Sequence, residues 1–131
     1  MSKRLVYHLV AQSCWRRDAG NGHYRPPGLA REGFIHCCGE VDLLVPLAGD
    51  YFAGLAEPLL VLVIDSARLA HQLRFEAPAP IPGGGTTHLV HGRLFPHLYG
   101  PLNLDAVVRI ETLPRIDGCF RLPATLTDNT D

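Results

Sequence analysis

The 131-residue sequence has no excess of charge of either sign. Its 12 Lys and Arg residues oppose 13 Asp and Glu residues, so the net charge is −1 when histidine is neutral. A protein that binds nucleic acid broadly needs a basic surface that attracts phosphates. The composition therefore excludes a general nucleic-acid-binding protein, although Arg16, Arg17, Arg25 and Arg31 are close enough in sequence to form a local basic pocket.

Long hydrophobic runs and CxxC motifs are also missing. The longest apolar stretch, 59–64, is far too short to span a bilayer, and the apolar run near the N-terminus is interrupted by His8, unlike a signal peptide. Adjacent Cys37 and Cys38 would point to opposite faces of a strand, which disfavours a disulfide between them. We therefore expect no membrane partner and a cytoplasmic protein with reduced thiols.

The composition that is present is an ordinary globular one, with 47% hydrophobic and 19% charged residues. This length suffices for one hydrophobic core, and the patterns predict a single α+β domain with two or so helices. The predicted strands are 5–10, 33–37, 59–65, 73–76 and 106–113, and the predicted helices are 13–19 and one that starts near Asp42. Segments 20–28 and 77–91, rich in proline and glycine, predict loops.

Three histidines lie in segments that otherwise look apolar. His8 lies between two valines on one strand face, and His36 shares a strand face with Phe34. A buried imidazole must satisfy two ring nitrogens, which either a core hydrogen bond or a ligand hydroxyl can do. His97, in the segment FPHLYGP, suits either a pocket wall or a turn that packs a tyrosine.

Metal binding and thiol chemistry are the rival interpretations of these residues. His88 and His91 are three apart, but zinc sites usually combine two compact donor pairs, which the sequence does not show, so we expect no metal. Cys38 lies at a strand end ahead of a predicted helix, whose N-terminus would lower the pKa of a thiol. No signature of a known cysteine enzyme accompanies Cys37 or Cys38, which favours inert buried thiols.

Two acidic residues end predicted strands. Glu76 closes the segment LRFE beside the long predicted loop. It is either a solvated carboxylate or a group that stabilises positive charge in a cleft. Asp65 ends the segment LVID, and its short side chain predicts a cap on the turn that follows.

Five segments, read in order, resemble the small bacterial DUF952 proteins: VYHLV, YRPPGLAREGFIHCC, LLVLVIDSARL, LRFE and LFPHLYGPLNLDAVV. The resemblance covers residues 7–108. It implies a DUF952-like domain over residues 1–113 and a C-terminal extension over 114–131, whose last residues we expect to fray. Gly28 and Cys38 stand where the family usually has serines, so any ligand contact of those hydroxyls is altered here.

The DUF952 fold is similar to that of the ADP-ribosyltransferase superfamily, in which NAD lies in a cleft between two small sheets. The resemblance therefore implies a split β-sheet core. By motif, it makes His8 the first-strand histidine that holds a ribose hydroxyl and His36 the second-strand residue near the nicotinamide. His97 and Tyr99 would belong to the third region of such a site, and Glu76 is the acidic candidate near it.

The same resemblance implies contacts to the ligand. The residues expected to make them are Arg25, Phe34, Cys38, Tyr99 and Gly100. Phe34 and Tyr99 would offer a surface to a flat ring, and the fork of Arg25 would pair with a phosphate.

The resemblance therefore implies an enzyme of the ribosyl-transfer type that uses NAD, or another small nucleotide-like ligand, as its substrate. The acceptor stays unnamed. One alternative is a binding or interaction module that keeps the cleft without catalysis, and a second is a metal-binding protein. Catalysis predicts that His8→Ala or His36→Ala lowers turnover by about 10²-fold, whereas pure binding predicts weaker affinity and no turnover.

Overall fold

The computed structural model describes residues 5–77 and 93–127. Within them, short helices connect four small antiparallel sheets. The strands are β1 (Leu5–Ala11), β2 (Ala19–Gly20), β3 (His23–Tyr24), β4 (Ile35–His36), β5 (Leu59–Asp65), β6 (Gln72–Glu76), β7 (Phe95–Tyr99), β8 (Leu102–Asn103), β9 (Val107–Thr112), β10 (Arg115–Ile116) and β11 (Cys119–Phe120). The helices are α1 (Gln12–Asp18), α2 (Pro27–Glu32), α3 (Leu44–Phe52) and α4 (Ala124–Thr127).

The sheet β1–β5–β9 separates two hydrophobic clusters. Central β5 is buried along its whole length, as its continuous apolar run predicts. The first core cluster consists of Tyr7, Cys38, Leu43, Leu44, Leu47, Ala48, Leu59, Val61, Val63, Phe95, Leu113, Phe120 and Leu126. The second core cluster consists of Val6, Val10, Tyr24, Ile35, Cys37, Leu60, Leu62, Ile64, Leu98, Leu102 and Ala106. Alternate residues of β5 thus enter alternate clusters.

A second sheet, β4–β7–β6, joins the first at a single bridged pair. The backbone N–H of Tyr7 donates to the carbonyl of Cys38 (2.8 Å), and the N–H of Cys38 donates to the carbonyl of Tyr7 (2.7 Å). Segment FPHLYGP supplies the central strand of this sheet, so the turn interpretation of that segment is wrong. Pro96 lies within this strand and has no N–H, but its carbonyl accepts the N–H of Cys37 at 3.0 Å, and Pro101 lies beyond the strand end.

The predicted loop at 20–28 contains regular structure. Strands β2 and β3 form a hairpin around Asn21 and Gly22, whose φ values are 54° and 81°, as a tight hairpin turn requires. Helix α2 then begins at Pro27 and ends at Gly33, where φ is 87°. A proline in the first turn and a left-handed glycine after the last are the ordinary ends of a helix. The composition of the segment did not predict these elements, because each is too short to show a periodic pattern.

The predicted helices form, but their starts are not the expected ones. The amide and the hydroxyl of Ser13 both donate to the Glu57 carboxylate, at 2.6 and 2.7 Å, instead of the side chain capping α1. A single 3₁₀ turn, Val41–Leu43, precedes α3, and Pro46 lies in the first turn of α3, where its missing N–H costs least. The predicted cap by Asp65 is confirmed, because its Oδ1 accepts the N–H of Ala67 at 3.0 Å.

The C-terminal segment packs on the first core cluster. Phe120 and Leu126 are members of that cluster, and the Arg115 guanidinium donates to the carbonyl of Leu55 at 2.6 Å and to those of Phe52 and Ala53. The extension predicted at 114–131 therefore contributes to the core as far as Leu126. No helix in the described ranges has the length and apolar character needed to cross a membrane.

Candidate functional site

The sheet β4–β7–β6 has one hydrophobic face and one that carries polar and aromatic groups. Residues opposite each other across its strands are Ile35, Leu98 and Leu73 on one face, and His36, His97 and Arg74 on the other. The hydrophobic face packs into the second core cluster. Strand alternation therefore places two of the three predicted histidines side by side on the opposite face.

Four rings meet on this face. Phe34 stacks on His97 with a centroid distance of 4.2 Å and an interplanar angle of 19°. It also contacts His36 at 4.8 Å and Tyr99 at 5.3 Å, and the two imidazoles lie edge to face at 5.4 Å. These rings and the carboxylate of Glu76 constitute what we call the histidine cluster: Phe34, His36, Glu76, His97 and Tyr99.

The Glu76 carboxylate organises one side of the histidine cluster. Its Oε1 accepts hydrogen bonds from the Tyr99 hydroxyl at 2.6 Å and from His97 Nδ1–H at 2.8 Å. These bonds, from Tyr99 first and His97 second, hold the pKa of Glu76 below its usual range. The carboxylate is therefore ionised at neutral pH, although its side chain is still 35% exposed.

His97 is nearly enclosed, with only 3% of its surface exposed. Its Nδ1 is held by Glu76, whereas its Nε2 has no hydrogen-bond partner among the described residues. As the acceptor nitrogen of a ring whose Nδ1–H is donated to Glu76, this nitrogen offers a lone pair to which a ligand hydroxyl would donate.

His36 is the open member of the histidine cluster, because 44% of its side chain is exposed. Its Nε2–H lies 3.0 and 3.1 Å from the two oxygens of Glu32, at the end of α2. This contact fixes the ring orientation and, in the described ranges, leaves Nδ1 without a partner. A carboxylate behind one nitrogen and an open second nitrogen suit an imidazole that exchanges a proton with a ligand.

His8 lies on the other side of the junction between the sheets. The neighbouring Val6 and Val10, which share its strand face, belong to the second core cluster, whereas Cys38 and Phe95, which share faces with His36 and His97, belong to the first. Among the described rings, His8 contacts that of Tyr24. The structure thus brings His36 and His97 together and does not bring the His8 ring to them.

Both nitrogens of His8 are bonded within the protein. Nδ1 lies 2.6 Å from the carbonyl oxygen of His36 and must donate to it, so the Tyr24 hydroxyl, 2.9 Å from Nε2, donates to the ring. Burial lowers the pKa of His8 to about 4 and raises that of Tyr24. His8 is therefore a neutral imidazole that ties β1 to the backbone of β4.

Two other predicted ligand contacts, Arg25 and Gly100, are not members of the histidine cluster. Arg25 is exposed near the β2–β3–β8 sheet, and in the described ranges no hydrogen bond or ion pair links its guanidinium to the cluster. Gly100 has a φ of 150°, and a Cβ there would collide with the ring of His71, whose Nδ1–H donates to the carbonyl of Pro101 at 3.0 Å. Gly100 thus permits close packing after β7.

Cys37 and Cys38, which follow His36 directly, are protonated thiols. Burial raises the pKa of Cys37 and of Cys38 to about 12, and Cys38 Sγ–H donates to the carbonyl of Glu40 at 3.1 Å. A thiol nucleophile needs the thiolate, which neither provides at neutral pH. Within 5–77 and 93–127 no group of three potential metal ligands is present; His88 and His91 lie outside these ranges.

Sequence reasoning missed three side chains that complete the arrangement: Glu32, Tyr24 and Arg74. Alternation along LRFE places Arg74 on the face of Glu76, and this signal was available in the sequence. Glu32 is four residues before His36, but a helix end intervenes, so spacing alone could not reveal the contact. Tyr24 belongs to the segment that composition assigns to a loop.

Comparisons with known proteins add the family and the fold. A family model described as "Protein of unknown function (DUF952)" matches residues 9–110, and no curated protein matches the chain. The crystal structure of protein CC0527 from Caulobacter crescentus is similar, with a TM-score of 0.71, 27% identity and coverage of 93% of this chain and 97% of that chain. The solution NMR structure of CC0527 has a TM-score of 0.66 at 24% identity and covers 89% and 90%.

Proposed function

This chain belongs to the DUF952 family, whose description assigns no function, and we propose that it binds NAD or a related nucleotide at the histidine cluster and transfers its ribosyl group. The observation that carries this proposal is the Glu76 carboxylate. It is ionised, fixed by Tyr99 and His97, and still exposed to a ligand. The substrate class would be a nucleotide with a cationic leaving base.

The chemistry follows from where charge develops. When the bond between nicotinamide and ribose breaks, its electron pair leaves with the ring nitrogen and positive charge builds on the sugar. A preorganised carboxylate stabilises that charge without reorienting during the reaction. Glu76 meets this requirement because two hydrogen bonds hold its Oε1 in place.

The remaining groups of the histidine cluster suit the other parts of such a ligand. Phe34 and Tyr99 are partly exposed, and this remaining aromatic surface suits the flat base. The open Nδ1 of His36 would take the proton of the acceptor oxygen as that oxygen attacks the sugar carbon. With water as the acceptor, the products are nicotinamide, ADP-ribose and one proton.

His8 has a different part in this proposal from the one its motif implies. Because both of its nitrogens are bonded to protein groups, it acts through the His36 carbonyl as a positioning residue. We infer that the two sheets joined at Tyr7 and Cys38 correspond to the split core of an ADP-ribosyltransferase-like fold. Support comes from the single bridged pair, which lies next to the histidine cluster. Four free thiols favour a reducing, cytoplasmic setting.

The experiment is to follow nicotinamide release from NAD by the full chain. We expect a rate above that of NAD alone. Glu76→Gln should lower the rate by about 10²-fold or more, because the amide removes the charge that faces the sugar. Calorimetric titration with NAD would measure binding separately from turnover.

Matched controls are available in the same chain. Glu57→Gln alters another partly exposed carboxylate that accepts two hydrogen bonds, and we expect it to keep the rate. If wild-type protein binds NAD without releasing nicotinamide, the chain is a binding module and the catalytic part of the proposal is wrong. If NAD does not bind, the whole proposal is wrong.

A further inference from the structure

The face that carries the histidine cluster also carries a cation, Arg74, for which the described residues provide no ion-pair or hydrogen-bond partner. Arg74 lies directly opposite His97 across β6 and β7 and two residues before Glu76 on β6, so all three side chains leave the same face of the sheet. The Arg74 side chain is exposed, and sequence reasoning had assigned phosphate contacts to Arg25 instead.

The guanidinium of Arg74 is held beside the Glu76 carboxylate without pairing with it. Its central carbon lies 4.7 Å from the centroid of the Tyr99 ring, over the ring face. In the described ranges no ion pair or hydrogen bond joins Arg74 to Glu76 or to another group. Glu76 instead directs its Oε1 to Tyr99 and His97. Tyr99 thus contacts the Arg74 guanidinium through its ring face and donates a hydrogen bond to Glu76 through its hydroxyl.

A guanidinium stacked on an aromatic ring keeps its N–H donors directed outward from its edge. Such a planar fork matches the oxygens of a phosphate, which it binds through two parallel hydrogen bonds. We infer that Arg74 is the phosphate-binding residue of the histidine cluster, and that its ligands are nucleotides with at least one phosphate rather than nucleosides. This inference rests on the proposed function, because it specifies the ligand of the same site.

The test compares ligands that differ by their phosphates. Calorimetric titrations would use NAD against nicotinamide riboside, and AMP against adenosine, at low and at physiological salt. The wild-type protein should bind the phosphorylated member of each pair about tenfold tighter or more. Arg74→Gln should remove this preference, and Arg74→Lys should restore part of it because the charge returns without the fork.

Arg109→Gln is the matched control, since Arg109 lies on β9 of the other large sheet, and it should leave the preference unchanged. Equal affinity of wild-type protein for NAD and nicotinamide riboside would overturn the inference about Arg74 while leaving the proposed function intact. So would unchanged NAD affinity in Arg74→Gln. Absence of binding by all four probes would overturn both.

Discussion

At the scale of single residues, the structure separates histidines that sequence patterns make equivalent. His8 and His36 each lie in a short apolar strand, but His8 turns toward the second core cluster and is saturated by protein groups. His36 turns to the other face, where it is exposed. Alternation along a strand predicts which neighbours share a face, but not which core each face meets. The pairing of His36 with His97 needed the register of β4 on β7.

His8 should make folding sensitive to acid. Its pKa is about 4 in the folded protein against an ordinary value of 6.5, so between these values the unfolded chain binds more protons and the free energy of unfolding falls as pH falls. Over this interval, wild type should lose up to about 3 kcal/mol more stability than His8→Gln. Urea unfolding at a series of pH values would measure the difference.

His23→Gln is the control for that experiment. His23 makes one long contact, of 3.3 Å, to the carbonyl of Asn21, and its replacement should leave the pH dependence as in wild type. Parallel curves for wild type and His8→Gln would contradict the assignment of His8 as a desolvated, neutral imidazole.

At the scale of elements, the strength of the local pattern decided what the sequence could predict. The strand predicted over 59–65 is confirmed to the residue because it is a continuous apolar run. The strand predicted over 33–37 is in register with β7 at Ile35 and His36, and the Cys37 N–H still donates to the Pro96 carbonyl at 3.0 Å. It goes no further, because Gly33 ends α2 and Cys38 pairs with β1. These interruptions depend on tertiary partners, which a local pattern does not contain.

Gly33 connects the end of α2 to Phe34, the first residue of the histidine cluster. Its φ of 87° ends the helix immediately before Phe34, and a Cβ there would meet no atom within 4 Å. Gly33→Ala should therefore cost only the left-handed backbone conformation, about 1 kcal/mol of unfolding free energy. Gly49→Ala, on the exposed side of α3, also adds a methyl to open space.

The two substitutions should have opposite effects. Alanine at position 49 is expected to stabilise the chain by up to about 1 kcal/mol, because glycine is a poor helix former. Urea unfolding of both variants measures the contrast. If Gly33→Ala were as stable as wild type, the left-handed helix end would not be required for the fold.

At the scale of the whole molecule, the C-terminal segment completes the first core cluster. Phe120 is 8% exposed and lies under the Arg115 guanidinium, whose central carbon is 4.5 Å from the ring centroid. Phe120→Ala should lower the free energy of unfolding by about 3 kcal/mol, because it leaves a cavity in that cluster. Ile116→Ala in the same hairpin removes a side chain that is 54% exposed and should change stability by less than about 0.5 kcal/mol.

If both substitutions changed the free energy of unfolding by equally small amounts, residues beyond 113 would pack against the domain without stabilising it. The sequence predicted this segment as an extension because the family resemblance stops before it. The buried apolar residues in the described part of this segment, Phe120 and Leu126, are too far apart to form a periodic pattern. Their contribution to the core depends on tertiary contacts, such as the hydrogen bond from Arg115 to the carbonyl of Leu55 just after α3.

Strands β4, β6 and β7 each present one face to the second core cluster and the other to the histidine cluster. Inserting or deleting one residue within any of them would exchange the two faces and expose Leu98 or bury Arg74. Point substitution at the exposed positions of the polar face, His36 and Arg74, leaves this packing and strand pairing in place. Single substitutions can therefore change the chemistry of this surface while the fold is kept. A change in strand length would instead prevent folding, so it would be lost in evolution whatever its effect on the chemistry.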